Sequence, residues 1–280
     1  MAREPKVGEC CICGRFGKLS YEHVPPEAAF NNRPIVLKGI DEILKKGDPT
    51  NAKSKIMQRG AGAYTLCERC NSLTGHWYGK NYVDWVYQGM EKLVIARKAP
   101  TLYYNFHLLP LRVIKQIACM FFSINGPQFR KAQPDLERFV LDKKRKHLPS
   151  HLRIFTFYAV SAVRQSGVTG RLSTDASDPT STYSEIIFPP FGYVMVFDHP
   201  PDKRLLDISW FGKFDYDDYH PIPLKIPVLP AVNYLPGDYR TQEEIDKAVV
   251  LNKQIPRDDV QAERAARAIA QTVKGKNSSQ

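Results

Sequence analysis

The sequence predicts an α+β protein: an N-terminal metal-stapled module, then helices, then a region of antiparallel sheet. Three observations lead there. Two C-x-x-C pairs, Cys10 with Cys13 and Cys67 with Cys70, stand near the start. Apolar residues recur at helical spacing between Trp77 and Asp142. From Leu152 onward short β-branched and aromatic runs take over, and nine prolines between Pro189 and Pro236 suit the turns and edges of an antiparallel sheet.

The cysteine pairs come first in the chain and constrain it most. C-x-x-C spacing lets two thiolates on one tight turn reach a single tetrahedral ion at about 2.3 Å. Gly14 follows the first pair and suits a knuckle that needs a positive φ. The 53 residues from Gly14 through Leu66 separate the pairs. Loop-closure entropy grows slowly with length, so this gap is compatible with one shared ion. A structural zinc held by Cys10, Cys13, Cys67 and Cys70 outranks a redox role, because no thioredoxin-like βαβ pattern accompanies the pairs. Cys11 and Cys119 are left over, and Cys119 lies in an apolar run as a small core residue.

The remaining elements follow in order. Leu19, Tyr21 and His23 alternate with polar residues, the pattern of a short strand that Pro25-Pro26 ends. A helix is expected to start near Cys70, with Asn71 in its first turn. Trp77 to Leu93 reads as a helix, and Leu111 to Ile124 as a buried one, apolar nearly all round. Pro134 to Asp142 is a shorter helix, and the run Lys143-Lys144-Arg145-Lys146-His147 after it reads as a solvated helix end. Strands are expected at Ile154–Tyr158, Ile186–Phe188, Tyr193–Phe197 and Leu206–Phe211. Asp215, Asp217 and Asp218 fall in a polar loop. Thr241 with Glu244 is a capping-box pattern opening a helix to Leu251. Arg257 to Gln280 is charged and reads as a flexible tail.

Composition bounds the function. With 43% hydrophobic and 25% charged residues the chain is neither disordered nor collagen-like. No run approaches 18 apolar residues and the N-terminus lacks an apolar leader, so a cytoplasmic protein without a membrane span is expected. The net charge is +11, and the first 150 residues carry +12 of it. That asymmetry suits a polyanion-facing surface on the N-terminal part.

Residues 8–80 carry a resemblance. The order C-x-x-C, then Tyr21-Glu22-His23-Val24-Pro25, then Leu66-Cys67-Glu68-Arg69-Cys70-Asn71, resembles the four-cysteine branch of the HNH endonucleases. The resemblance implies a ββα-metal, treble-clef-like module in which zinc staples a hairpin to a helix. It implies metal-dependent hydrolysis of phosphodiester bonds in nucleic acid, with double-stranded DNA favoured on family grounds. His23 maps to the general base, and Glu22 and Asn71 to ligands of a catalytic Mg2+ or Mn2+. The residue types suit that chemistry: carboxylate and amide oxygens favour hard cations, and a neutral imidazole can take a proton from water. Members of the family serve in restriction, phage defence, mobile elements and DNA packaging.

Three departures stand out. The family's central Asn, which orients the general base, falls on Gly62, with Asn51 and Gln58 as substitutes for that task. Its optional second helix ligand falls on Gly75, and the neighbouring His76 is turned about 100° away on a helix. Glu22 replaces the commoner Asp. The insertion between the Glu-His strand and the second knuckle supplies Arg33, Lys38, Lys45, Lys46, Lys53, Lys55 and Arg59 as candidate nucleic-acid contacts, around a short strand and helix. The expected organisation is a nuclease module over 1–80, an α+β accessory region over 81–256 that offers a surface to a protein partner, and a tail over 257–280. The alternative is a non-catalytic zinc module that binds nucleic acid or protein.

Overall fold

Alternation, turns and caps in the sequence place most elements of the computed structural model, which describes residues 4–47, 49–96, 99–160, 163–171, 180–230 and 235–254. The expected tail over 257–280 lies outside the described residues. Strands β1 (Val7–Glu9) and β2 (Phe16–His23) form a hairpin around the first cysteine knuckle, where Gly14 adopts φ 71°. The insertion folds as β3 (Ile35–Lys38), α1 (Ile40–Lys46) and β4 (Ser54–Met57), with β3 and β4 paired as a two-stranded ribbon. The expected strand and helix are present, and β4 is an additional strand. Strand β5 (Gly62–Cys67) then joins β2, giving the sheet order β1-β2-β5.

Helix α2 (Glu68–Thr74) begins two residues before Cys70, because Cys67 is still extended at φ −67° and ψ 155°. Asn71 therefore sits a full turn inside the helix and is not its cap. The helix runs through one wide π-helical turn, Gly75–Gly79, into α3 (Lys80–Ile95). The expected helix over Trp77–Leu93 is thus the second part of a longer, irregular one. The two glycines bounding the turn make such a break inexpensive.

After α3 come β6 (Thr101–Leu108), α4 (Pro110–Asn125), α5 (Pro127–Ala132) and α6 (Pro134–Leu141), each helix opened by a proline at its first position. Strands β7 (Arg153–Ala159), β8 (Arg164–Arg171), β9 (Ser181–Phe188), β10 (Phe191–Val196), β11 (Leu206–Asp207) and β12 (His220–Leu229) complete a seven-stranded sheet of order β6-β12-β7-β10-β9-β8, with β11 beside β7. Pairing is antiparallel except for a short parallel stretch between β12 and β7.

Leu206–Phe211 corrects an expectation. Only Leu206–Asp207 is strand; Ser209–Lys213 is a 3-10 turn. Asp207 accepts from the Ser209 N–H at 2.8 Å, and this local turn competes with the ladder. The lysine run follows the end of α6 with Lys143, Lys144, Arg145 and His147 exposed as expected, while Lys146 pairs with Asp215 at 3.0 Å and Arg112 of α4 pairs with Asp217. The acidic loop is thereby latched.

Chain contacts group Met1–Tyr239 as one unit and Arg240–Gln280 as another. In the first, Cys10, Cys70, Trp85, Ile114, Phe121, Phe191 and Ile226 share a single core cluster. Trp85 of α3 stacks on Phe191 at 4.5 Å and donates Nε1–H to Tyr193 at 3.0 Å. Phe155, Phe157, Val194 and Tyr239 fill a smaller core on the opposite sheet face. Both faces of β7, β9 and β10 are covered, so nearly every residue along them is buried. In the second unit, α7 (Gln242–Gln254) is opened by the expected capping box: Glu244 N–H donates to Thr241 Oγ1 at 3.2 Å, and Thr241 N–H to Glu244 at 2.6 Å. Among the described residues no helix is long and apolar enough to cross a membrane.

Candidate metal centre and adjoining cleft

The four expected cysteines converge. Cys10, Cys13, Cys67 and Cys70 place their Sγ atoms within 4.8 Å of one another. Cys13 and Cys67 Sγ are 3.7 Å apart, close to the tetrahedral edge of about 3.8 Å that follows from metal–sulfur bonds of about 2.3 Å. The cluster can hold a metal ion such as zinc. Backbone bonds preset it: Gly14 N–H donates to the Cys10 carbonyl, and Cys10 N–H to Arg15, both at 2.9 Å. A hydrogen bond from Cys70 holds the Cys10 thiol down, to about 4, and pushes Cys70 up. A divalent cation would bind all four sulfurs as thiolates. Cys11 is buried outside the cluster, its thiol pushed up to about 12 by burial and by the charge of Cys10. Cys119 is a fully buried core residue.

Beside the cluster lies a cleft of about 490 Å³ lined by Glu22, His23, Asn71, Gly75, Lys80 and Gln116, among others. Glu22 reaches it beside a backbone irregularity. Strict alternation along β2 would put Leu19, Tyr21 and His23 on one face and Glu22 on the other. The register with β5 shifts between Ser20 and Tyr21. Thr65 of β5 is the extra residue of this bulge, and on either side of it Leu19 and Glu22 are the two buried positions of β2. Glu22 is 6% exposed, and no donor among the described residues reaches its carboxylate. Burial alone pushes its pKa up to about 8.

His23 is half-buried at the end of β2. Its Nε2 lies 2.8 Å from the Arg59 carbonyl. A carbonyl only accepts, so Nε2 carries the hydrogen and Nδ1 keeps the lone pair. This answers the departure at position 62: the imidazole is held by a main-chain oxygen, not by Asn51 or Gln58. Gly62 pairs directly with His23, and a Cβ there would come within 2.9 Å of the Tyr21 ring and closer still to the Glu22 carbonyl. The turn presenting the Arg59 carbonyl is fixed by the buried Asn31, whose Nδ2 donates to Pro25 and Ala61 at 2.6 and 2.7 Å and whose Oδ1 accepts from Ala61 N–H.

Asn71 donates Nδ2–H to Ser20 Oγ at 3.1 Å and to the Tyr21 carbonyl at 3.3 Å. Its amide hydrogens are committed to β2, which leaves Oδ1 unclaimed on a side chain that lines the cleft. Gly75 has open space at its Cβ position, and His76 is exposed and outside the lining.

The seven basic candidates are arranged along the insertion, outside the cleft lining. Lys38 is on β3, Lys45 and Lys46 end α1, Lys53 and Lys55 mark the start of β4, and Arg33 and Arg59 flank the ribbon. Lys45 lies 3.7 Å from Glu42. Arg59 is the one tied to the site residues, its guanidinium 4.5 Å above the Tyr21 ring and its carbonyl on His23.

Sequence reading missed Asn31, the Arg59 carbonyl and Gln116. None carries a motif; a main-chain oxygen has no sequence signature, and Gln116 comes from a helix far along the chain. Comparison of this chain with family models, with curated proteins and with solved structures finds no match.

Proposed function

We propose that this protein is a metal-dependent endonuclease of the HNH type, with a zinc-stapled ββα-metal module that hydrolyses phosphodiester bonds in nucleic acid, with double-stranded DNA as the preferred substrate. The observation that supports it best is the buried, donor-free Glu22 carboxylate sharing one cleft with His23 and Asn71, next to four converging thiols. A largely buried carboxylate without a donor is costly, and a cation in the cleft would relieve that cost.

In this reading His23 is the general base. The Arg59 carbonyl takes its Nε2–H and so directs the basic Nδ1 to an attacking water. Glu22 and Asn71 Oδ1 would hold Mg2+ or Mn2+ by hard oxygen atoms, and the ion would supply charge stabilisation at the scissile phosphate and the leaving oxygen. The insertion's lysines and arginines contact backbone phosphates on either side of the cut. Glu22 and His23, adjacent at the end of β2, both line the one cleft.

The alternative, a non-catalytic zinc module, draws on a different observation. Val36, Leu37, Leu44 and Ile56 are exposed together with the basic residues of the ribbon and α1, a surface suited to a partner. Incubating the protein with supercoiled plasmid and Mg2+ or Mn2+, beside His23→Ala, separates the readings. Nicking by the wild type that the variant loses supports the nuclease. No cleavage by the wild type, or equal cleavage by both, leaves the binding module.

A further inference from the structure

Helix α4 is the most apolar helix of the chain, and its buried polar side chains need explaining. Lys115 is explained: its Nζ donates to the Phe139 and Asp142 carbonyls at 2.6 Å each, satisfying the end of α6. Gln116, the next residue, has no such account. It is 2% exposed, and its Oε1 is buried without a hydrogen-bond donor. A buried amide oxygen left this way costs about 1–3 kcal/mol, whereas Leu or Met at the same position would carry no such cost. Gln116 also lines the cleft that holds Glu22 and Asn71.

Gly75, which follows α2, lines the same cleft and offers no side chain there, its Cβ direction being open space. The room beside Glu22 and Asn71 is bordered by an amide that lacks a partner.

We propose that Gln116 is an oxygen donor to the divalent ion of the Glu22–Asn71 site, directly or through one ion-bound water. The accessory region thus completes a site that the N-terminal module leaves short of oxygens. A half-turn of the amide presents either of its atoms to the cleft, so the oxygen can face the ion while the NH2 group remains available to a phosphate oxygen or a water. One carboxylate and two amide oxygens form a low-charge set that would leave an octahedral cation several waters, which Mg2+ usually keeps. This inference rests on the nuclease reading and extends it to a residue outside the resemblance.

The test is Mn2+ binding, read from the electron paramagnetic resonance signal of free Mn2+, with the full-length, zinc-loaded protein. Wild type, Gln116→Leu, Gln116→Glu and Glu22→Gln are compared. Gln116→Leu is expected to weaken binding about tenfold, the size of loss typical for groups that support a metal site, with an unchanged or higher thermal midpoint. Gln116→Glu is expected to tighten it by adding charge, and this variant keeps the test alive if the leucine variant does not fold. Wild-type affinity in Gln116→Leu, or no tightening in Gln116→Glu, while Glu22→Gln loses the ion, overturns the role of Gln116 and leaves the nuclease reading standing. Failure of the wild type to bind Mn2+, or equal binding by Glu22→Gln, overturns both.

Discussion

Glu22 is the residue on which the site turns, and its protonation can be followed. Burial raises its pKa from the ordinary carboxylate value of 4.5 to about 8, so the fold favours the protonated form. A raised carboxylate contributes stability that is fully present below pH 4.5 and is lost as pH rises towards 8. Glu22→Gln mimics the protonated state. In protein stripped of Mg2+ and Mn2+ but retaining zinc, it is expected to be more stable than wild type at pH 8.5, by on the order of a few kcal/mol, and no more stable at pH 4. Mn2+ should close the gap at pH 8.5 by stabilising only the wild type. Chemical denaturation at the two pH values checks this; equal stability at both contradicts a dry, unpaired carboxylate. The identity of Glu22 was legible in the sequence as part of Glu22-His23-Val24-Pro25. Its burial was not, because alternation assigns it to the solvent face, whereas the pairing with β5 shifts register between Ser20 and Tyr21.

At the scale of elements, the pairing of β2 with β5 accounts for the glycine at 62. Gly62 faces His23 across a ladder so close that a side chain collides with the main chain of β2. Gly62→Asn, the residue that the resemblance would place there, is expected to destabilise the protein by about 2–4 kcal/mol. Gly75→His meets open space and removes a helical glycine, so its thermal midpoint should stay within a few degrees of wild type. Thermal melts of the two variants test the contrast; a tolerated Gly62→Asn would show that the hairpin is looser than described.

Legibility at this scale followed periodicity. The buried helix α4, the short α6 and the capping box of α7 were plain in the sequence. Strand β12 was hidden by Pro221, Pro223 and Pro227, which usually argue against a strand. Their alternate positions put every missing N–H on one side of the strand, so the ladder with β6 runs uninterrupted along the other. β6 was missed although Leu102, Phe106 and Leu108 alternate with the exposed Tyr103, Asn105 and His107, and β8 because Arg164–Arg171 is mostly polar residues and glycine.

For the whole molecule, the metal cluster and the large sheet are parts of one structure. Cys10 and Cys70 belong to the same core as Trp85, Phe121 and Phe191. Arg130 of α5 bridges Glu9 of the first knuckle at 3.1 Å and Glu137 of α6 at 3.3 Å, with its guanidinium packed against Gly14. Removing zinc with a strong chelator is therefore expected to lower the thermal midpoint by well over 10 °C, since structural zinc contributes folding free energy directly. A fragment ending at residue 95 is expected not to fold, because it lacks α4 and the strands that cover Trp85. Circular dichroism and amide exchange on both samples measure these outcomes; a folded, zinc-binding fragment would show the N-terminal module to be self-sufficient. The sequence revealed the cysteine pairs and the +12 charge of the first 150 residues. It could not show that a helix beginning at Pro110 walls the cleft, because that contact depends on tertiary packing alone.

The measurement that tests the central claim most directly is chemical rescue of His23→Ala. Single-turnover cleavage of a duplex DNA in Mn2+ is followed for wild type and variant, with and without added imidazole. If His23 is the base that takes a proton from the attacking water, the variant should lose about 100-fold or more in rate, and imidazole should restore part of it in a concentration-dependent way. Cleavage by His23→Ala at the wild-type rate, or a wild type that does not cleave at all, would contradict the assignment.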